Sequence, residues 1–338
     1  MKGIAHFAVG VAVATFVPGV VGAAAQGLAF GPALGGLAGL LPDTLDFKLL
    51  RFLEPRDVEI DPAAALNEAG QLDPQALAKA LAAALSLAGE QGRKVRLQLH
   101  TARLGGDLWQ RWSVRFPEGR EVQVQLGPAV TTGQLPVPAG DLSAAKVGLA
   151  PLPMPILYDY DDEIHVDILS GPSLSVEPAG EALRVTFLPW HRAWSHSLLV
   201  VLLIAATGWL LAAARDLSMA PAYGLAMGLA ALAHVALDQM GSMGSNFWFP
   251  LTHSRTRGLR LWRSGDALPN LLAVWVSGAL VLFNLDRFSG APLLPGLPYL
   301  LLAVALPLAA GLASTLWQRK RSVPPLAASM VPGAKAEE

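Results

Sequence analysis

The sequence predicts a mainly α-helical integral membrane protein with about six transmembrane helices and one inserted soluble α+β domain. Of its 338 residues, 53% are hydrophobic and only 15% are charged, whereas soluble domains have about 25% charged residues. The long apolar runs lie towards the two ends of the chain. The middle instead shows the alternation of apolar and polar residues that is typical of strands.

Six apolar segments are candidates for membrane spans, which need about 20 residues each. The second is short and Gly-rich, so it is either a marginal span or a helix packed closely on a neighbour through small residues. The first also has features of a cleavable signal peptide, but only Lys2 precedes its apolar run and the next run follows at once. The six segments are residues 4–23, 27–42, 197–214, 222–240, 270–285 and 297–317.

The inserted α+β domain is predicted between the second and third segments. Within it, residues 73–92 are typical of a helix that ends at a glycine, and several stretches between 94 and 188 alternate like strands. The Pro-rich residues 150–157 predict a loop or an extended connector. The acidic run 159–165 predicts either a cation site or a solvated edge. The predicted domains are residues 1–50, 51–189, 190–320 and a polar tail at 321–338.

The basic residues predict the orientation, because cytoplasmic loops carry an excess of Lys and Arg. With six spans, the N-terminus, the inserted domain, the loop 241–269 and the tail share one side. The other side carries Arg215 and Arg287 near the membrane. The shared side is therefore predicted to be cytoplasmic. It carries Lys2, Lys48, Arg51, Arg192, Arg255, Arg257, Arg260, Arg263, Arg319, Lys320 and Arg321.

The bilayer is the partner that this composition predicts. The formal net charge is −1 and no large basic block is present, so nucleic acid is not expected as a partner. The chain contains no cysteine. Disulfides and thiolate ligands are therefore excluded, and any metal must be bound by His, Asp or Glu.

Ionisable side chains cluster at the cytoplasmic ends of the predicted spans. Such groups are costly at membrane depth and generally mark function. They are His6 at the first span, Asp43 and Asp46 after the second, His191 and His196 before the third, and His234 and Asp238 at the end of the fourth.

The spacing of His234 and Asp238 indicates a possible metal site. An i, i+4 spacing places both side chains on one helix face. There they can chelate one divalent ion or form a His–Asp hydrogen bond. A set of nitrogen and oxygen donors suits zinc, manganese or iron(II), and the number of candidates allows one or two ions.

Four motifs in order resemble those of the YdjM-type membrane-bound metal-dependent hydrolases, a bacterial inner-membrane family. The resemblance covers residues 1–50 and 190 to about 270, and the inserted domain lies outside it. The motifs are "HFAVG" (6–10), "GGLAGLLPDTLD" (35–46), "HRAWSHSLL" (191–199) and "HVALDQMGSMGSNFWFP" (234–250).

The resemblance implies a metal-dependent hydrolase in the inner membrane. The family usually shows Asp-x-Asp-His, whereas this chain has one extra residue and Phe47 where the histidine would stand. Asp43 is therefore the safer expectation as a ligand, and the role of Asp46 stays open. The matching metal positions are His6, Asp43, His191, His196, His234 and Asp238.

The mechanism expected from this ligand chemistry is hydrolysis by metal-activated water. A bound divalent ion lowers the pKa of water, and a nearby Asp or His accepts the proton. Asp43, His196 and Arg192 are the expected catalytic residues. Arg192 either binds a phosphate or carboxylate bidentately or anchors among lipid headgroups. The expected substrate is a lipid-like ester or phosphoester at the cytoplasmic interface.

Two other functions stay open at this point. The same residues can serve a metal transporter, although transporter sites usually lie near the membrane midplane on broken helices. They can also bind a structural metal in a non-catalytic scaffold whose inserted domain binds a partner. An open coordination position would argue against the scaffold.

Overall fold

The computed structural model describes residues 1–68, 70–137, 147–158, 163–168, 171–215 and 217–322. The predicted polar tail lies almost wholly outside the described residues. The first four residues of the acidic run 159–165 also lie outside the described residues. The cation site predicted there is therefore not described.

The described helices are concentrated at the two ends of the chain. They are α1 (Gly3–Ala14), α2 (Pro18–Ala25), α3 (Phe30–Leu45), α4 (Arg51–Leu53), α5 (Pro74–Gln91), α6 (Leu198–Ala213), α7 (Ala220–Gln239), α8 (Ala267–Arg287), α9 (Gly296–Leu300) and α10 (Leu306–Ser322).

The described strands all lie in the middle of the chain, as the alternating pattern predicted. They are β1 (Val58–Ile60), β2 (Val95–Leu99), β3 (Ala102–Gly105), β4 (Leu108–Arg115), β5 (Glu121–Thr131), β6 (Val147–Pro151), β7 (Ile156–Tyr158), β8 (Ile164–Val166), β9 (Ser173–Ala179) and β10 (Ala182–Phe187).

The chain forms two compact units. The first, called the helical unit, consists of Met1–Leu41, Leu198–Gly241 and the chain from Leu261 onward. The second, called the β-rich unit, consists of Pro42–Ser197 and Ser242–Arg260. The β-rich unit therefore extends beyond the predicted insert of residues 51–189 and includes a distant segment that follows α7.

Among the described residues of the helical unit, three helical stretches are long and apolar enough to cross a membrane. They are Leu217–Gln239, Ala267–Arg287 and Gly296–Thr315. The count rises to four if α1 and α2, which are bent by 95° at the break between them, form one span. The prediction of about six spans is therefore corrected to three or four.

The other predicted spans fall short for local reasons. The first apolar run breaks after Ala14, and α2 begins at Pro18, a residue that starts helices well but cannot continue one. α6 has 16 residues and is therefore about 24 Å long, which is less than the hydrocarbon thickness of about 30 Å. α3 also has 16 residues, so it is too short for the same reason.

Glycines allow α1 and α3 to approach each other closely within the helical unit. A methyl group added at Gly10 would collide with the carbonyl of Gly35, and one added at Gly35 would collide with the Cβ of Ala14. A Cβ at Gly39 would lie 2.7 Å from the carbonyl oxygen of His6. Residues 27–42 thus follow the second alternative from the sequence, a helix packed through small residues.

The β-rich unit contains two sheets and the helix α5. One sheet has the strand order β1-β2-β9-β10-β7, and the other has β3-β4-β5-β6 with β8 also paired to β4. α5 buries Leu77, Leu81 and Leu85 in the core shared with both sheets. It begins after Asp73, whose side chain accepts a hydrogen bond from the backbone of Gln75, and ends at Gly92 with φ 61°. Both helix ends are the ones that the sequence predicted.

The Pro-rich residues 150–157 are only partly the connector that the sequence predicted. Their first two residues end β6, and Ile156 begins β7, which pairs in parallel with β10. Only the part between these strands is irregular. Proline is tolerated at the ends of strands and at the edges of sheets. The prolines of this segment are therefore compatible with β6 and β7.

Candidate metal centre

The first candidate group lies where α1 packs on α7 in the helical unit. His6 is near the start of α1, and His234 and Asp238 lie one turn apart near the end of α7. His6 Nε2 is 3.2 Å from Asp238 Oδ1, and His234 Nε2 is 3.4 Å from Asp238 Oδ2. All three side chains are buried. One oxygen of the Asp238 carboxylate therefore faces each imidazole, and the centroids of the two rings lie 3.9 Å apart.

The hydrogen bond of His234 orients its ring for ligation. Its Nδ1 lies 2.6 Å from the carbonyl oxygen of Gly39, and because a carbonyl only accepts, Nδ1 carries the proton. A neutral ring then directs its Nε2 lone pair at Asp238 Oδ2. Two acceptors facing each other need a proton or a cation between them, and a carbonyl behind the ring is typical of metal-ligating histidines.

Two further contacts bear on the charge of this group. The amino group of Met1 lies 3.1 Å from Asp238 Oδ1 and offsets part of the carboxylate charge. His6 Nδ1 is buried and makes no hydrogen bond within the described residues. A buried polar atom without a partner costs free energy, so this nitrogen also indicates a missing ligand.

The second candidate group lies in the β-rich unit, where Asp43 near the end of α3 meets the segment before α6. A π-helical turn, Asp46–Leu50, follows α3 directly. His196 belongs to a short 3₁₀ helix. Its Nε2 is 3.5 Å from Asp43 Oδ1, and its Nδ1 is 3.3 Å from Asp46 Oδ2. The imidazole therefore bridges two carboxylates that are three residues apart in sequence.

Asp46 is the most contacted member of the second group and is fully buried. Its Oδ2 accepts hydrogen bonds from His191 Nδ1 at 2.8 Å and from the backbone nitrogen of Arg192 at 2.9 Å. Its Oδ1 is buried and has no hydrogen-bond partner in the part of the chain that the structure describes. One carboxylate oxygen is thus held in place while the other is available to a ligand.

Burial lowers the pKa of His191 to about 4, although its hydrogen bond to Asp46 opposes the shift. The His191 ring is therefore neutral near pH 7 and donates its Nδ1 proton to Asp46. Carboxylates that ligate a metal are typically held by such a hydrogen bond from a neighbouring side chain.

The spacing of the donor atoms fits one divalent ion in each group. Ligand atoms about 2.1 Å from a tetrahedral zinc ion lie about 3.4 Å from one another. The observed separations around Asp238 are 3.2 and 3.4 Å, and that between His196 and Asp43 is 3.5 Å. The chemistry of the donors suits zinc, manganese or iron(II). The donors that lie within the helical unit are His6, His234 and Asp238, and those within the β-rich unit are Asp43, Asp46 and His196.

The structure places five of the six proposed metal positions among the donors of the two groups: His6, Asp43, His196, His234 and Asp238. His191 contacts Asp46 and is not one of the donors of either set. Asp46, which the sequence did not favour as a ligand, is a donor of the second set. The signal that could have identified it is its i, i+3 spacing from Asp43. Whether these positions bind one ion or two stays open, as it was from the sequence.

Arg192 contributes to the second group through its backbone. It adopts φ 57°, in the left-handed region, and this conformation aims its N–H at Asp46. Its side chain is largely buried, whereas an anchor among lipid headgroups needs an exposed one.

Arg255 holds the segment that carries His191 and was not singled out as a site residue by the sequence. Its guanidinium donates to the carbonyls of Phe187, Leu188 and His191 at 2.7, 3.1 and 3.0 Å. These bonds join residues more than 60 positions apart, so no local spacing could have revealed them. Arg255 therefore acts as a positioning residue for His191.

Changing Arg255 to Ala is expected to destabilise the β-rich unit by about 2–4 kcal/mol, because three charge-assisted hydrogen bonds are lost. For a unit of this size, the Tm is expected to fall by roughly 5–12 °C. Arg257→Ala, at an exposed neighbour, is the control and should change stability by less than about 0.5 kcal/mol. Thermal unfolding measured side by side checks this. Equal Tm values for the two variants would contradict the positioning role.

Comparison with known proteins gives one match. The family model described as YdjM inner membrane protein matches residues 176–322. The matched range includes His191, His196, His234 and Asp238, whereas His6, Asp43 and most of the β-rich unit lie outside it. No curated protein and no solved structure matches the chain. Over residues 176–322, the chain is therefore similar to the YdjM inner membrane proteins, as the order of its motifs predicted.

Proposed function

We propose that this protein is a metal-dependent hydrolase of the inner membrane. The observation that carries the proposal is the facing of buried histidine nitrogens and aspartate oxygens at 3.2–3.5 Å in two groups. Such facing acceptors are costly without a cation between them. The match to an inner membrane protein family supports the location.

The ion is proposed to be catalytic rather than structural. Structural zinc sites usually have four protein ligands, whereas catalytic sites have three and leave a position for water. A divalent ion supplies Lewis-acid chemistry and makes water a nucleophile at neutral pH.

The protein's own residues have distinct roles in this proposal. Asp43 has a side chain that is 21% exposed, whereas His196 and Asp46 are fully buried. Asp43 is therefore the carboxylate of the second group that can accept a proton from water at its Oδ atoms. His191 holds Asp46 by its hydrogen bond, and Arg255 holds the His191 segment.

The proposed substrate is an ester or phosphoester of a lipid-like molecule in the cytoplasmic leaflet. His6 lies near the start of α1 and Asp238 near the end of α7. Residues at helix ends meet the headgroup layer, where ester linkages and water are both present. A site at helix ends supports an interfacial enzyme over a transporter, whose site usually lies near the midplane.

The β-rich unit is proposed to face the cytoplasm, because basic residues near membrane helices favour that side. The cysteine-free chain makes a clean labelling test possible. A single cysteine in place of Arg120, which is exposed on this unit, should react with a membrane-impermeant maleimide only after the inner membrane is permeabilised. Labelling in intact spheroplasts would place the unit on the periplasmic side.

The hydrolase proposal is tested with a panel of lipids and generic ester and phosphodiester substrates. Metal-loaded wild type is expected to hydrolyse a member of the panel, and Asp43→Asn, His196→Ala and Asp238→Ala should each lower kcat/KM at least about 100-fold. His165→Ala is the matched control, since that histidine is 69% exposed on β8 and should retain full activity.

Two outcomes would contradict the hydrolase proposal. Hydrolysis by the three site variants at the wild-type rate would remove these residues from catalysis. Absence of turnover on the panel, together with metal movement across liposomes that contain the protein, would favour the transporter instead.

A further inference from the structure

A cavity of about 450 Å³ lies within the β-rich unit, apart from the carboxylates described above. One wall is formed by Glu177 of β9 and Arg184 of β10, and Lys94 lies just before β2. Residues of the segment 242–257 also line the cavity. Its volume falls within the range of about 300–1,000 Å³ that is typical of small-molecule sites.

The lining of this cavity is strongly cationic. Lys94, Arg184, Arg255 and Arg257 line it, against the single carboxylate of Glu177. The whole chain has a formal net charge of −1, so this excess is local rather than a feature of the composition. No salt bridge joins Lys94 or Arg184 to another residue in the described ranges. Both side chains are exposed, so they are accessible to an anionic ligand.

The cavity adjoins the segment of the second candidate group. Pro189 and Ala193 line it, and these residues stand on either side of His191 and Arg192 in the chain. Arg255 lines it as well and donates to the His191 carbonyl. A ligand in the cavity would therefore lie beside the segment that holds Asp46.

We propose that this cavity binds the phosphate group of a phosphorylated polar ligand. Arginine matches phosphate geometry bidentately and lysine adds a compact charge. The hydroxyls of Thr186 and Ser254 also line the cavity and can donate to phosphate oxygens. Because the cavity is larger than one phosphate ion, the ligand carries a further polar part. This inference rests on the proposed function, because it identifies the substrate of the proposed hydrolase as a phosphoester.

The test is calorimetric titration of the full chain in detergent after its metal has been removed with a chelator. One arm uses inorganic phosphate and glycerol 3-phosphate, and the other uses mixed micelles that contain phosphatidic acid. Binding in the first arm identifies a soluble phosphate compound, and binding in the second arm alone identifies a lipid headgroup. Either result supports the proposal.

Variants show whether the binding occurs in this cavity. The double change Lys94→Glu and Arg184→Glu is expected to weaken binding at least tenfold, because two attractive charges become repulsive. Arg184→Gln should weaken it about threefold and is the milder variant where the double change fails to fold. The control is Lys79→Glu with Arg120→Glu, two exposed residues outside the cavity, and it should bind like wild type.

Absence of binding by the wild type in both arms would overturn the inference, and so would equal affinities of wild type and Arg184→Gln. Since no metal is present in the titration, the result does not depend on hydrolysis. Phosphate binding without turnover would refute the proposed function alone. Metal-dependent turnover without phosphate binding in this cavity would refute this inference alone.

Discussion

Changing His234 and Asp238 together to Ala is expected to remove the metal ion of the first group. Two of the three donors in the helical unit disappear, and His6 alone cannot retain a divalent ion in competition with water. Loss of even an indirect contact typically lowers metal affinity 10–100-fold, so an effect of more than about 100-fold is expected here. Elemental analysis of the purified variant should show about one equivalent less than wild type.

The control for this double change is Asn284→Ala. Asn284 is also buried in the helical unit, and its side chain donates to Thr15 Oγ1 at 2.9 Å, but it belongs to neither donor set. This variant should lose stability and keep its metal. If the His234 and Asp238 double variant kept the full metal content of the wild type, these two residues would not be metal ligands.

Changing Asp46 to Ala is expected to have the largest effect on stability of any single change near the site. The change leaves His191 Nδ1 and the Arg192 N–H, both buried, without their acceptor. Breaking such a buried polar pair typically costs about 3–5 kcal/mol. For a unit of this size, this corresponds to a fall in Tm of roughly 6–20 °C.

A chelator distinguishes two ways in which Asp46 can stabilise the folded protein: by binding a metal ion and by accepting hydrogen bonds. A ligand that binds only the folded state stabilises it, so removal of the metal should lower the wild-type Tm. In Asp46→Ala the ion of the second group is already lost, and a chelator should therefore lower Tm by a smaller amount. A chelator effect as large as in wild type would exclude Asp46 from the ligands.

The sequence predicted the β-rich unit well, because its signals are local. Asp73 and Gly92 mark the ends of α5, and the alternating stretches became β2, β4, β5 and β10. The i, i+4 spacing of His234 and Asp238 likewise predicted two side chains on one helix face. Asp46 was set aside because the chain departs from the family spacing at that point. The π-helical turn that begins at Asp46 changes the local geometry in a way that residue counting does not show.

The number of spans was predicted poorly, because the average hydropathy of a segment does not show where a helix breaks. Residues 4–23 form a continuous apolar run, yet the chain bends by 95° between Ala14 and Pro18. The close packing at Gly10 and Gly35 depends on the contact between α1 and α3. The sequence of either segment alone does not show that the two helices meet. The role of Arg255 depends on contacts with residues that are distant in sequence, so only the folded chain shows it.

X-ray absorption spectroscopy of the protein purified with its metal tests metal binding most directly. The donor sets predict one or two equivalents of a divalent ion, with nitrogen and oxygen neighbours at about 2.0–2.2 Å if the ion is zinc. Scattering from imidazole rings is also expected, from His6 and His234 in one group and from His196 in the other. A metal-free protein after loading and dialysis, or a bound ion without imidazole scattering, would contradict the assignment of these residues as ligands.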